Sequence, residues 1–151
     1  VENFSLRELT EYVAQKFEPL LAEKDLTLQL NIEGDVRMNG DEARMEQVIT
    51  NFMSNVVKYS PAGGQVRIRA FSGRTDVYFT ITNTAKHLSE EGLQKVFDSF
   101  YREDSARTEK STGLGLTIVK RILSLHSGEC YVNNTVLHDQ PAVEFGFNLP
   151  I

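Results

Sequence analysis

The 151-residue sequence predicts an α/β (α+β) fold. The expected form is a two-layer sandwich, with about three helices on one face of a mixed, mostly antiparallel sheet of about five strands. Three observations predict it. Segments with the apolar period of a helix are interleaved with short segments of period two. Two pairs of the short segments are joined by connections short enough for hairpins, which makes their pairing antiparallel. The short segments are apolar on one face and polar on the other, as in a sheet covered by helices on a single side.

The elements follow in order. Ser5-Leu-Arg-Glu8 is a capping box, in which the Ser5 hydroxyl accepts from the third helical N–H and Glu8 reaches back. The helix behind it carries Leu6, Leu9, Val13, Phe17, Leu20 and Leu21 at helical spacing. Leu26, Leu28, Leu30 and Ile32 alternate with Thr27, Gln29 and Asn31, the pattern of a half-buried strand. Asp41 is an N-cap for a long helix running to about Tyr59, with the apolar stripe Met45, Val48, Ile49, Phe52, Met53 and Val56. Ser60-Pro-Ala-Gly-Gly64 ends it. Val66/Ile68/Ala70 and Val77/Phe79/Ile81 form two strands joined by a turn at Ser72-Gly-Arg-Thr-Asp76. A short helix spans Glu90–Phe97, and Tyr101–Thr112 is a polar, charged loop. Leu114–His126 is a helix, with Gly128 near its C-terminal end. Cys130–Asn134 and Val143/Phe145/Phe147/Leu149 close the chain as strands. No repeat or linker divides the sequence, so 1–151 is expected to be a single domain.

Composition narrows the function. The chain has 16 basic and 21 acidic residues, a net charge of −5 that counts against a nucleic-acid-binding face. No apolar run reaches the roughly 18 residues of a membrane span, and no signal peptide opens the chain. One cysteine, Cys130, forms no internal disulfide, and with three scattered histidines it makes no zinc site. A reducing, cytosolic setting is the default. The chain begins at Val1 rather than Met, so it is expected to be a fragment of a larger protein.

Two segments carry chemistry. On the long helix, at 100° per residue, Gln47, Asn55, Lys58 and Tyr59 lie at about −40°, +40°, −20° and +80° from Asn51, while the apolar residues centre roughly 130° away. Stacked amide oxygens suit a hard cation such as magnesium, which keeps waters and shares phosphate oxygens. Lys58 suits phosphate charge, and Tyr59 offers a flat face to a base. Asn is a poor helix former, so two of them a turn apart in a helix centre call for an explanation beyond a solvated face. The second segment is Ser111-Thr-Gly-Leu-Gly-Leu116 at the mouth of a helix, where backbone N–H groups and the helix dipole favour phosphate. Upstream, Arg102 and Arg107 are able to clamp phosphate.

Taken together these segments resemble a known family. Gln47-Val-Ile-Thr-Asn-Phe-Met-Ser-Asn-Val-Val-Lys-Tyr59 resembles the N box of the ATP-binding domain of bacterial sensor histidine kinases. Val96-Phe-Asp-Ser-Phe-Tyr-Arg102 resembles its F box, and Thr112-Gly-Leu-Gly-Leu-Thr-Ile-Val-Lys120 its G2 box. Leu125-His-Ser-Gly128 and Phe147-Asn-Leu-Pro150 also fit, so the resemblance spans nearly the whole chain. The wider superfamily includes gyrase B, the Hsp90 chaperones and MutL, and the implied architecture is the Bergerat fold, with a mobile ATP lid at about 88–113.

The resemblance implies a role for each matching residue. Asn55 would ligate magnesium bridging the ATP phosphates, with Asn51 nearby or in its outer shell. Lys58 would contact phosphate, and Tyr59 would pack near the adenine. Asn83, Ala85 and Leu88 would line the nucleotide pocket. Arg102 and Arg107 would lie on the lid, and Thr112, Gly113, Leu114, Gly115 and Leu116 would meet the triphosphate. Phe97 and Phe100 would anchor the lid to the core. Hydrolytic relatives carry a glutamate where this chain has Asn51, a poor base, which favours transfer to a protein side chain over ATP hydrolysis.

The chain departs from the family at the G1 box, where Asp-x-Gly-x-Gly is replaced by Asn83-Thr-Ala-Lys-His87. Asn83 still presents a carbonyl oxygen to an adenine amine, at a cost of about 1 kcal/mol in lost charge assistance. A Cβ at Ala85 costs energy wherever the backbone needs a positive φ or close approach of the purine. Lys110-Ser111 stands where the G2 box often begins with glycine, which would stiffen the lid. Two readings follow: a kinase domain with a relaxed adenine pocket, or a degenerate module acting by contact. His87, His126 and His138 all lack the context of a phosphoacceptor and are read as structural or surface residues. The acceptor would lie on a dimerisation hairpin N-terminal to Val1, with the sensor and membrane anchor. The implied partners are that hairpin and a response regulator, in a homodimeric protein whose catalytic domain is cytoplasmic and touches neither membrane nor nucleic acid.

Overall fold

The computed structural model describes residues 1–99, 101 and 115–151. Along the chain run β1 (Glu2–Ser5), α1 (Leu6–Glu23), β2 (Thr27–Ile32), β3 (Arg37–Gly40), α2 (Glu42–Tyr59), β4 (Gln65–Ser72), β5 (Asp76–Thr84), α3 (Glu90–Lys95), α4 (Gly115–Leu125), β6 (Glu129–Leu137) and β7 (Gln140–Pro150). Five strands form one sheet in the order β2-β4-β5-β7-β6. β2 and β4 are parallel, with α2 in the connection between them, and the other three pairings are antiparallel. The fold class is therefore the one expected.

Period-two alternation puts Val66, Ile68, Ala70, Val77, Phe79, Ile81, Phe145, Phe147 and Leu149 in the core, against the buried stripes of α1, α2 and α4. Phe52 of α2 sits at the centre. Its ring stacks on Phe79 at 6.3 Å and on Phe147 at 6.4 Å, and meets Phe145 at 5.8 Å. Burying such a ring contributes roughly 1.5–3 kcal/mol. It also fits the rotation of α2, in which Phe52 and Met53 face inward and Asn51 turns toward the helix flank.

Several expectations need correction. The sequence pattern does not predict β1 and β3: each has four residues and no usable period, and they exist by pairing with one another, Phe4 opposite Met38, with both buried. Leu20 is 44% exposed, so Leu21 alone continues the α1 stripe, and Leu30 is 36% exposed because β2 is an edge strand. α3 stops at Lys95 rather than Phe97, β6 runs on to Leu137, and the described part of α4 ends at Leu125. At the end of α4 the left-handed residue is Ser127 (φ 61°), not Gly128. Gly128 is required by packing instead: a Cβ there would lie 2.7 Å from the Asn148 carbonyl oxygen and closer still to the Leu149 side chain.

His126 is structural in a specific way. Its Nε2 accepts the Asp41 N–H at 3.0 Å, and its Nδ1 faces the Ile122 carbonyl at 2.9 Å. A backbone N–H only donates and a carbonyl only accepts, so the ring hydrogen is on Nδ1. The end of α4 is thereby tied to the N-cap of α2, whose Asp41 carboxylate in turn accepts from the Arg44 N–H.

Candidate functional site

The site is built along one flank of α2. Asn51 donates through Nδ2 to the Gly115 carbonyl at 3.1 Å, linking the centre of α2 to the start of α4. Asn55, one turn on, is half-buried, and its amide has no hydrogen-bond partner among the described residues. Lys58 follows, with its Nζ buried and without a hydrogen-bond partner among the described residues. The ammonium lies 5.2 Å from the centre of the Tyr59 ring, which is itself 47% exposed. A buried donor with no acceptor is costly, and the ring face returns only part of that cost. The position therefore favours an added anion.

Gly115 borders the same space. Among the described residues a Cβ there would meet nothing nearer than Asn51 Cγ at 4.0 Å, and the residue is not among the left-handed glycines. Neither packing nor backbone conformation requires glycine here. The absent side chain leaves room beside the helix start, as a group approaching the backbone closely would need. Leu116, next on α4, is half-buried against the core, and Thr117 Oγ1 donates to the Phe97 carbonyl at 2.9 Å. Phe97 meets Phe145 edge-on at 5.9 Å and so packs against the core.

Asn83 lies beside the C-terminal end of α2. It is 4% exposed, near the end of β5, and its Nδ2 donates to Ser60 Oγ at 2.9 Å and to the Thr84 carbonyl at 3.2 Å. The Thr84 carbonyl only accepts, so the amide orientation is determined and Oδ1 is left without a partner among the described residues. A free acceptor here is what an adenine amine needs. Ser60, the C-cap of α2, carries only the signal of a helix stop in the sequence. Its part in orienting Asn83 has no local signal, because the two are far apart along the chain.

Ala85 is not left-handed, and its N–H donates to the Pro141 carbonyl at 3.0 Å. The conformational cost of a Cβ at this position is therefore absent. Leu88 packs on the core, and both of its backbone polar groups bond the Asn134 amide. The structure thus places Asn51 with Gly115 at one end of the flank, Asn55 a turn further on, and Lys58 and Tyr59 at the C-terminal end of α2, where Ser60 meets Asn83. From Asn51 to Ser60 the helix rises about 13 Å. Phe100, Arg102, Arg107, Thr112, Gly113 and Leu114, and with them much of the expected lid, lie outside the described residues.

Residues 40–150 match the family described as histidine kinase-, DNA gyrase B- and HSP90-like ATPase. The chain is similar to the adaptive-response sensory kinase SasA of Rippkaea orientalis, at 30% identity over 95% of this chain and 36% of that protein. It is also similar to the signal transduction histidine-protein kinase BaeS of Escherichia coli, at 32% identity over 80% of this chain and 26% of that protein. The chain thus spans about a third or less of the length of these relatives. Among solved structures, the nucleotide-free catalytic domain of histidine kinase ThkA superposes with a TM-score of 0.87 at 27% identity, covering 99% of this chain and 96% of that one. With residues 40–150, most of the chain, matched, this chain belongs to the histidine kinase-, DNA gyrase B- and HSP90-like ATPase family.

Proposed function

We propose that this chain is the ATP-binding catalytic domain of a two-component sensor histidine kinase. It holds ATP so that the γ-phosphoryl passes to a histidine on a separate dimerisation domain of the same protein, and from there to a response regulator. The observation that carries the reading is the buried Lys58 ammonium, without a hydrogen-bond partner among the described residues, one turn from Asn55 on a helix whose C-cap, Ser60, holds the Asn83 amide.

In this reading Asn83 Oδ1 accepts from the adenine amine, Lys58 meets phosphate, and the open space at Gly115 admits the triphosphate to the start of α4. Asn55, its amide without a hydrogen-bond partner among the described residues, is the residue that would hold magnesium, which when bound neutralises phosphate charge. Asn51 holds the Gly115 carbonyl and so keeps the two phosphate-facing elements together. An amide is no general base, so nothing at that position activates water, and transfer to a side chain is favoured over hydrolysis. Catalysis of this kind rests on positioning and charge neutralisation. We also assign the segment from Leu88 to residue 113 as the lid and 1–151 as one domain of a longer, homodimeric, membrane-anchored protein. Among the described residues no helix is long and apolar enough to cross a membrane.

The test is calorimetric titration with ATP, with and without magnesium, on the wild type and on Asn55→Ala. Magnesium-dependent binding in the micromolar to low-millimolar range is expected for the wild type, with the magnesium dependence lost in the variant. A folded wild type that takes up no ATP at millimolar concentration would instead indicate a module acting by contact.

A further inference from the structure

The segment that follows β5, residues 85–89, has no regular structure and contains none of the glycines usual there, yet three of its polar backbone groups, at Ala85 and Leu88, are bonded to the neighbouring strands. Ala85 N–H donates to the Pro141 carbonyl of β7 at 3.0 Å. Leu88 N–H donates to Asn134 Oδ1 of β6 at 2.8 Å, and Asn134 Nδ2 donates back to the Leu88 carbonyl at 2.9 Å. His87 Nε2 faces the Thr135 carbonyl at 2.8 Å and so must carry the ring hydrogen. Leu88 offers one group that only donates and one that only accepts, so the Asn134 amide has a single possible orientation. β6 is an edge strand of the sheet, and this one side chain does at Leu88 what another strand would otherwise do.

We propose that Asn134 is a positioning residue for the base end of the nucleotide pocket. By gripping both backbone groups of Leu88 it fixes where the chain leaves the sheet between Asn83 and the N-cap of α3 at Ser89. The proposal rests on the nucleotide reading above. A family member with glycines at this place obtains close approach of the purine from a small, adaptable backbone. Here the wall is instead held in one conformation before the ligand arrives, so binding does not have to order it. Releasing the grip would let the wall move while α2 and α4, which carry the phosphate end, stay in place.

The experiment measures dissociation constants for ADP and for inorganic triphosphate, both with magnesium, in the wild type, Asn134→Ala and Asn134→Ser. Hydrogen exchange at the Leu88 amide is read alongside. For Asn134→Ala, ADP binding is expected to weaken about tenfold, triphosphate binding to stay within about twofold, and the Leu88 amide to exchange faster. Asn134→Ser retains an acceptor and is expected to weaken ADP about threefold, which preserves the test if the alanine variant does not fold. Unchanged ADP affinity with accelerated exchange, or equal losses for ADP and triphosphate, would overturn the proposal. A wild type that binds no ADP would bring down the nucleotide reading itself, a different result from a wild type that binds and variants that match it.

Discussion

Lys58→Met separates what this side chain does to the ligand-free domain from what it does to a bound nucleotide. The Nζ is buried without a hydrogen-bond partner among the described residues, and the Tyr59 ring lies 5.2 Å away. An unsatisfied buried donor costs about 1–3 kcal/mol, and a cation over a ring returns about 0.5–1 kcal/mol. Methionine keeps the length of the chain and removes the charge, so the ligand-free domain should gain roughly 0.5–2 kcal/mol. At about 2–4 °C per kcal/mol for a chain of this size, Tm should rise by about 1–8 °C. The nucleotide complex should respond in the opposite direction. A hydrogen bond to a charged phosphate contributes about 1.5–3 kcal/mol, so the dissociation constant for magnesium-ATP should rise roughly 10- to 150-fold. Calorimetric titration and thermal unfolding of the same two preparations supply both numbers. A variant that is less stable than the wild type and binds ATP equally well would refute the argument, since the ammonium would then serve the fold and not the ligand.

Two further substitutions probe other parts of the molecule. Asn83→Asp cannot donate to the Thr84 carbonyl, so the ligand-free domain should lose about 1 kcal/mol and its Tm about 2–4 °C. The charged oxygen facing the base should tighten ADP binding roughly fivefold in a calorimetric titration, and unchanged affinity would show that this side chain does not meet the adenine. The second is Asp35→Asn. The Asp35 carboxyl is held below its ordinary value of 3.8 by the Ser5 hydroxyl and then by Arg37. A lowered acid stabilises the fold above its unfolded value and loses that stability as pH falls through the folded one. Unfolding followed across acidic pH should therefore show Asp35→Asn less stable than the wild type at neutral pH, with the difference closing below about pH 3.8. A constant difference at every pH would mean that the carboxylate charge is not involved.

Much of the site is legible in the sequence because its signals are local. Asn51, Asn55, Lys58 and Tyr59 share one flank of α2 because they share one helix, and the stripe from Met45 to Val56 says which side of that helix is buried. The caps at Ser5 and Asp41 are likewise read from their immediate neighbours, and the structure shows each accepting from the N–H three residues on. The pairing of β4 with β5, and of β6 with β7, follows from short turns between alternating segments.

Tertiary structure alone decided the rest. It paired β1 with β3, neither of which has a pattern of its own. It oriented Asn83 through Ser60, seated His126 under the N-terminus of α2, and closed the Asn134 amide on Leu88. It also placed the left-handed position at the end of α4 on Ser127 and gave Gly128 its reason in the crowding by β7. Amphipathic periods, caps and tight turns arise from residues within a turn or two of each other, so a sequence determines them by itself. A hydrogen bond between Asp41 and His126, 85 positions apart, depends on where the whole sheet and its helices bring two distant backbones, and no local pattern encodes that meeting.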